Sequence, residues 1–161
     1  MSDIVRATTP EVPEPPAGTW SNCLVTGGIA YVAGMTARGD DTAGDEYVQA
    51  KAIFGKIRHL VEAAGGTMAD IVKLTVYLCD MGDVKEVAAA RARYFSPPYP
   101  ASTMIEVSRL VSPDQLVEIE AVAALAPRRP PDSPARDLPT GYLTSRRNDE
   151  ERSPRRRHDT A

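Results

Sequence analysis

The sequence predicts an α+β domain: one mixed sheet with two helices on one face, in the order β-β-α-β-α-β-β. Three observations carry that reading. Gly27-Gly28 divides two strand-like runs, as a tight hairpin turn requires. Residues 46–64 carry apolar side chains at three- and four-residue spacing. After them come an alternating strand, a shorter alanine-rich helix and two closing strands.

Each element has its own signals. Residues 1–17 hold Pro10, Pro13, Pro15 and Pro16 and read as an extended arm, not a helix. Residues 20–26 and 29–36 form the hairpin, and 37–45 a polar loop. In the first helix Val48, Ala52, Ile53, Ile57, Leu60, Val61 and Ala64 make one apolar face. Asp45 can cap its start, and Gly65-Gly66 ends it. Residues 70–79 alternate, with Val72, Leu74, Val76 and Leu78 on one side and Lys73, Thr75 and Tyr77 on the other. Residues 83–95 are the second helix, stopped by Ser96-Pro97-Pro98. Residues 102–110 and 115–124 are the closing strands, joined by a short turn at Pro113-Asp114. The last strand has apolar residues on both sides, so the sheet face away from the helices needs a cover. Association of several sheets would supply it.

Composition bounds the function. The 161 residues suit one domain, read as 18–126, with an arm before it and a tail at 127–161. There is no apolar run of about 18 residues, which excludes a membrane span. The N-terminal stretch has no apolar core of a secretory signal, so the expected location is cytoplasmic and Cys23 and Cys79 are expected as reduced thiols. Through Ala126 there are sixteen acidic and ten basic residues. After it there are nine arginines and six acids, which together give the net charge of −3. The acidic body does not suit nucleic acid. The proline- and arginine-rich tail buries too little apolar surface to order itself and reads as a disordered basic extension, SPRRRH at 153–158 included.

Three blocks then stand in continuous order: EAAGGTMADIVKLTVYLCDMGDVKEV at 62–87, PASTMIEVSRL at 100–110 and VEIEAVA at 117–123. With the hairpin and Gly34 they closely resemble the RidA/YjgF family of small imine and enamine deaminases, over roughly residues 16–126. The resemblance implies a chorismate-mutase-like fold and a homotrimer with a barrel-like centre. It also implies clefts between subunits, a small-molecule substrate, and no metal or organic cofactor.

The same resemblance implies the site. Glu118 matches the family's cleft glutamate, which places the water that attacks the C=N carbon. Glu120 follows at i+2 on the same side of the strand, and two carboxylates on one face can raise one pKa for acid–base use. Trp20 lies where a tyrosine is usual, near the cleft mouth. The Ala33-Gly34 pair matches a cleft-lining Ser-Gly pair. Tyr99, Ser102, Thr103 and Met104 complete the expected substrate-binding set. Ser102 stands where the family has a carboxylate-binding arginine, Met104 where cysteine is frequent, and Ala88 where asparagine is common. The cleft has lost charge and hydrogen-bond donors and gained apolar surface, which suits a larger and less polar ligand. Arg109 reads as a subunit-contact residue. Arg91 or Arg93 could replace the missing charge only by turning inward, and the second helix is expected to face outward. His59 and His158 have no catalytic partner pattern.

These features support an enzyme acting on an imine or enamine. Two alternatives stand beside it: a diverged enzyme for a larger planar intermediate, by aminomuconate-like deamination or by cyclisation or dehydration, and a non-catalytic ligand-binding protein on the same fold.

Overall fold

A computed structural model describes residues 3–125. The basic tail at 127–161, with SPRRRH, lies outside the described residues. Six strands form one sheet: β1 (Val5–Arg6), β2 (Cys23–Thr26), β3 (Ile29–Thr36), β4 (Ile71–Leu78), β5 (Ala101–Glu106) and β6 (Val117–Ala124). Two helices, α1 (Glu46–Ala63) and α2 (Val84–Arg91), complete the expected series. The strand order is β1-β2-β3-β6-β4-β5. The fold is thus the predicted mixed sheet with helices, plus one short strand contributed by the arm.

The arm is more than a spacer. Val5 and Arg6 pair with Val25 and Leu24, and the Ala7 amide donates to the Cys23 carbonyl at 3.1 Å. Ala7 and Val12 are buried in the core. The hairpin turns as expected, with Gly27 and Gly28 at φ 57° and 78°, the left-handed pair that matches strand twist. Its first strand starts at Cys23, three residues later than the sequence suggests.

In α1 the Asp45 carboxylate accepts from the Val48 amide at 3.0 Å. Gly65, at φ 89°, ends the helix, and the amides of Gly65 and Gly66 donate to the carbonyls of Glu62 and Val61. Ile53, Ile57, Leu60 and Val61 are fully buried, as expected, together with Ala50 and Phe54. Ala52 and Ala64 are half-buried. Val48 is 41% exposed instead. Gln49, not Val48, stands four residues before Ile53 and eight before Ile57, so the buried stripe begins with an amide.

Val72 is also displaced from its expected face. The β4–β6 register shifts between Ile71 and Lys73, which puts Ile71 and Leu74 inward and leaves Val72 48% exposed. The second helix is shorter than expected. Beyond Arg91 the chain tightens into turns, and Tyr94 and Phe95 bring their rings to 5.3 and 5.7 Å from Phe54. The closing strands are likewise shorter, and they are not neighbours. β4 lies between them, paired parallel to β5 and antiparallel to β6. The physical reason is the crossover: α2 returns the chain alongside β4 in the same direction, and the loop after β5 then carries β6 past β4 to β3.

The helices pack on one face, α1 against β3, β6 and α2. The opposite face carries Tyr31, Lys73, Thr75, Tyr77, Glu118, Glu120 and Val122, none of them fully buried. Among the described residues no helix is long and apolar enough to cross a membrane.

Candidate active site

Glu118 lies on β6, opposite Thr36 of β3 and Tyr77 of β4. The β3–β6 register is irregular between Val32 and Met35, the stretch that contains Ala33 and Gly34. The irregularity brings Gly34 beneath the glutamate. A Cβ at residue 34 would stand 1.9 Å from Glu118 Oε1. Burial raises the Glu118 carboxyl above its ordinary 4.5, and the charge of Glu120 raises it further. Glu120 follows at i+2, opposite Thr75. Thr75 is also opposite Thr103 on β5, whose hydroxyl accepts from the Lys73 ammonium. A polar row, Thr103–Thr75–Glu120, therefore crosses three strands on the face away from the helices. A hollow of 440 Å³ opens on that face, lined in part by Ala33, Lys73, Thr75 and Glu120.

Trp20 and Gly34 share a second hollow of 390 Å³. Trp20 is 51% exposed. Sequence reasoning missed three features of its wall: the arm from Glu11 to Pro16, Arg38 and Lys56. Lys56 donates to the Thr36 carbonyl at 2.8 Å, and burial lowers its pKa. Its place on the half-buried flank of α1 gave no sequence signal. The prolines of the arm signal an extended segment, not its place beside Trp20.

A third hollow, of 210 Å³, lies where α2 meets the approach to β5. Ala88, Arg91, Ala92, Phe95 and Tyr99 line it. Here Arg91 Nη1 donates to Ser102 Oγ at 3.2 Å. The contact is made at the protein surface and does not turn the second helix inward. Arg91 is half-buried and turned to β5, while Arg93 is exposed. Tyr99 is 68% exposed at the edge of the hollow.

Ser102 and Thr103, expected side by side, belong to opposite faces of the sheet. Ser102 pairs with the buried Leu74, and Thr103 with Thr75. Met104 follows the parity of Ser102 and packs against the core. One chain therefore brings Gly34 and Glu118 together where β3 meets β6, with Ala33 next to Gly34 on β3, Trp20 sharing a hollow with Gly34, and Tyr99 and Ser102 together at β5. It does not join the two groups: β4 separates β5 from β6, which sets those strands about 9.5 Å apart.

The cysteines are free. Cys23 is fully buried, and burial with the nearby Glu14 pushes its thiol up to about 11. Cys79 is half-buried, with Sγ 3.5 Å from the Gln115 carbonyl.

Residues 11–125 match the model of the family described as Endoribonuclease L-PSP. The chain belongs to this family, the RidA/YjgF family of the sequence resemblance. A RutC family protein from Pyrococcus horikoshii is 37% identical over 112 residues, which is 67% of this chain and 88% of that protein. A protein named 3-aminoacrylate deaminase RutC, from Acinetobacter baylyi, is 30% identical over 118 residues, 71% of this chain and 93% of that one. A crystal structure of a protein of unknown function from Pseudomonas aeruginosa aligns with a TM-score of 0.74 and 36% identity. It covers 78% of this chain and 94% of that one. These similarities span the described RidA/YjgF domain and bear on its fold; the site residues above rest on the geometry.

Proposed function

We propose that the protein is a deaminase that hydrolyses the C=N bond of an imine or enamine-derived intermediate, with Glu118 as the group that holds and activates water. One observation carries this reading: a half-buried carboxylate of raised pKa, seated against a glycine that leaves its oxygen uncovered. Water adds to the imine carbon as Glu118 takes its proton. The carbinolamine nitrogen then receives that proton, the hydroxyl gives its own proton back to the Glu118 carboxylate as the C–N bond breaks, and ammonia leaves with a carbonyl product. The Acinetobacter relative's name, a 3-aminoacrylate deaminase, supports the same reaction class. The description attached to the family model, an endoribonuclease, has less support in this site. Glu118 and Glu120 project together and would repel a phosphate backbone.

The catalytic cleft is completed between subunits of a homotrimer. Support for this comes from the uncovered sheet face and from the separation of the Glu118 and Ser102 groups in one chain. The substrate is larger than the smallest imino acids, a reading supported by the 51% exposed Trp20 beside a 390 Å³ hollow. The experiment is ammonia release from imines formed in situ by an amino-acid oxidase, with wild type and Glu118→Gln. Acceleration by wild type, lost in Glu118→Gln, is the expected result. No acceleration across a panel of small and aromatic amino acids overturns the deaminase reading. Light scattering on the eluting protein reads the trimer directly.

A further inference from the structure

We propose that Lys56 is a nucleophilic amine that takes the carbonyl carbon of a flat, unsaturated aldehyde or ketone as an imine, in the hollow it shares with Trp20 and Gly34. The inference rests on the deaminase reading for the source of that carbonyl compound, the product of hydrolysis. The bond it predicts can be trapped without turnover. Three features of the 390 Å³ hollow carry it.

The first is the place of the amine. Lys56 leaves the half-buried flank of α1, and its Nζ donates to the Thr36 carbonyl at 2.8 Å. That bond fixes the nitrogen at the end of β3, on the residue opposite Glu118. A neutral amine keeps the bond through one N–H, so its lone pair stays available to the hollow. The second is the ease of losing the proton. Burial disfavours the ammonium; Asp41 favours it, Arg38 opposes it, and the balance lowers the pKa from its ordinary 10.5. A desolvated lysine with another cation beside it is a general way to obtain a nucleophilic amine. The third is the surround. The exposed ring of Trp20 and the edge of Pro16 present flat apolar surface to the same space. A planar carbonyl compound can stack on that ring with its reactive carbon at the amine.

The step is redox-neutral. The Lys56 lone pair attacks the carbonyl carbon, and the C=O bond opens to a carbinolamine. Both amine protons pass to the oxygen, which leaves as water when the C=N bond forms. Addition of water reverses the sequence and frees the carbonyl compound.

Sodium cyanoborohydride reduces such an imine to a stable secondary amine, and peptide mass spectrometry of the full-length protein treated with benzaldehyde locates it. Wild type is expected to take the label on Lys56 several-fold faster than on the exposed Lys51 and Lys85. With butanal in place of benzaldehyde that ratio falls, because butanal gains nothing from the Trp20 ring. In Lys56→Arg, which keeps a cation for the Thr36 carbonyl, the fast phase disappears and the melting temperature holds. A Lys56 rate in wild type no greater than that of Lys51 and Lys85 overturns the inference, and equal selectivity with the two aldehydes overturns the flat ligand. Glu118→Gln loses turnover and keeps the label, which separates this lysine from the hydrolytic reading. Turnover in wild type without a Lys56 label refutes the lysine alone. A Lys56 label without turnover refutes the reaction but not the lysine.

Discussion

The carboxylate of Glu118 occupies the space that a side chain on Gly34 would need. A Cβ there would lie 1.9 Å from Oε1, 2.8 Å from Cδ and 3.2 Å from Cγ, so even one methyl group must move the carboxylate. The obstacle is the far end of a flexible side chain, and Gly34 is not among the glycines with positive φ. Gly34→Ala is therefore expected to fold, with a melting temperature within a few degrees of wild type, at most about 1 kcal/mol in stability. Its kcat/KM for imine hydrolysis falls at least about tenfold, since a misplaced base loses much of its effect. Full activity in Gly34→Ala shows that the contact does not set the position of the base.

Glu118 also couples stability to pH. Burial, and then the charge of Glu120, raise its carboxyl above 4.5 in the folded protein. The folded state thus holds this proton more tightly than the unfolded chain does. Stability from this group is fully present below 4.5 and is lost as pH rises through the raised folded value. Glu118→Gln removes the cost of the buried charge. Its melting temperature should exceed that of wild type at neutral pH, and the gap should close as pH falls below the window. If the gap is constant with pH, the carboxyl is not the group that titrates. In the same window kcat/KM of wild type should climb with pH, because only the carboxylate can accept a proton from water.

Glu120 is the second cause of that shift, after burial. Glu120→Gln removes a like charge two residues away on the same face and should move the acidic limb of the kcat/KM profile toward lower pH. Part of the displacement stays, because burial is untouched. An acidic limb that stays where it is in Glu120→Gln, with activity retained, leaves burial as the sole cause. Complete loss of activity instead makes Glu120 part of the chemistry.

The sequence revealed the fold because its signals are local. Paired glycines, the 53/57/60/61 stripe of α1 and the alternation of Leu74, Val76 and Leu78 in β4 each report a single element, and each is found in place. The pairing of strands is not local. The order β3-β6-β4-β5 depends on α2 turning β5 parallel to β4, which no periodicity encodes. The same limit governs the site. Glu118 and Gly34 stand 84 residues apart in the chain and meet through one irregularity in β3, whereas Ser102 and Thr103 are adjacent in sequence and lie on opposite faces. Arg91 was read by its helix as pointing outward. Its contact with Ser102 depends on how the end of α2 approaches β5, a tertiary fact.

Gln49 is the clearest polar residue that pattern reading passed over, and its role is testable. It is fully buried within the apolar stripe of α1. Its Nε2 donates to the Asp114 carbonyl at 2.9 Å and lies 3.3 Å from the carbonyls of Thr42 and Gly44, while its Oε1 accepts from the Leu116 amide at 2.9 Å. One side chain thus ties the loop before α1 to the loop that enters β6, two residues ahead of Glu118. Gln49→Leu keeps the volume but leaves the Leu116 N–H and the Asp114 carbonyl without partners. At about 1–3 kcal/mol for each buried orphan, the loss should be about 2–6 kcal/mol. Urea unfolding should show a lower midpoint at unchanged slope. Gln49→Glu can still accept from Leu116 but meets the Asp114 carbonyl with a second acceptor, so it should cost as much or more. Because the fastened loop feeds directly into β6, kcat for imine hydrolysis should fall in both variants even at temperatures where they remain folded. A stability change below about 0.5 kcal/mol in Gln49→Leu would mean that water or loop movement satisfies the freed groups, and that the loop before β6 is held by its turn alone.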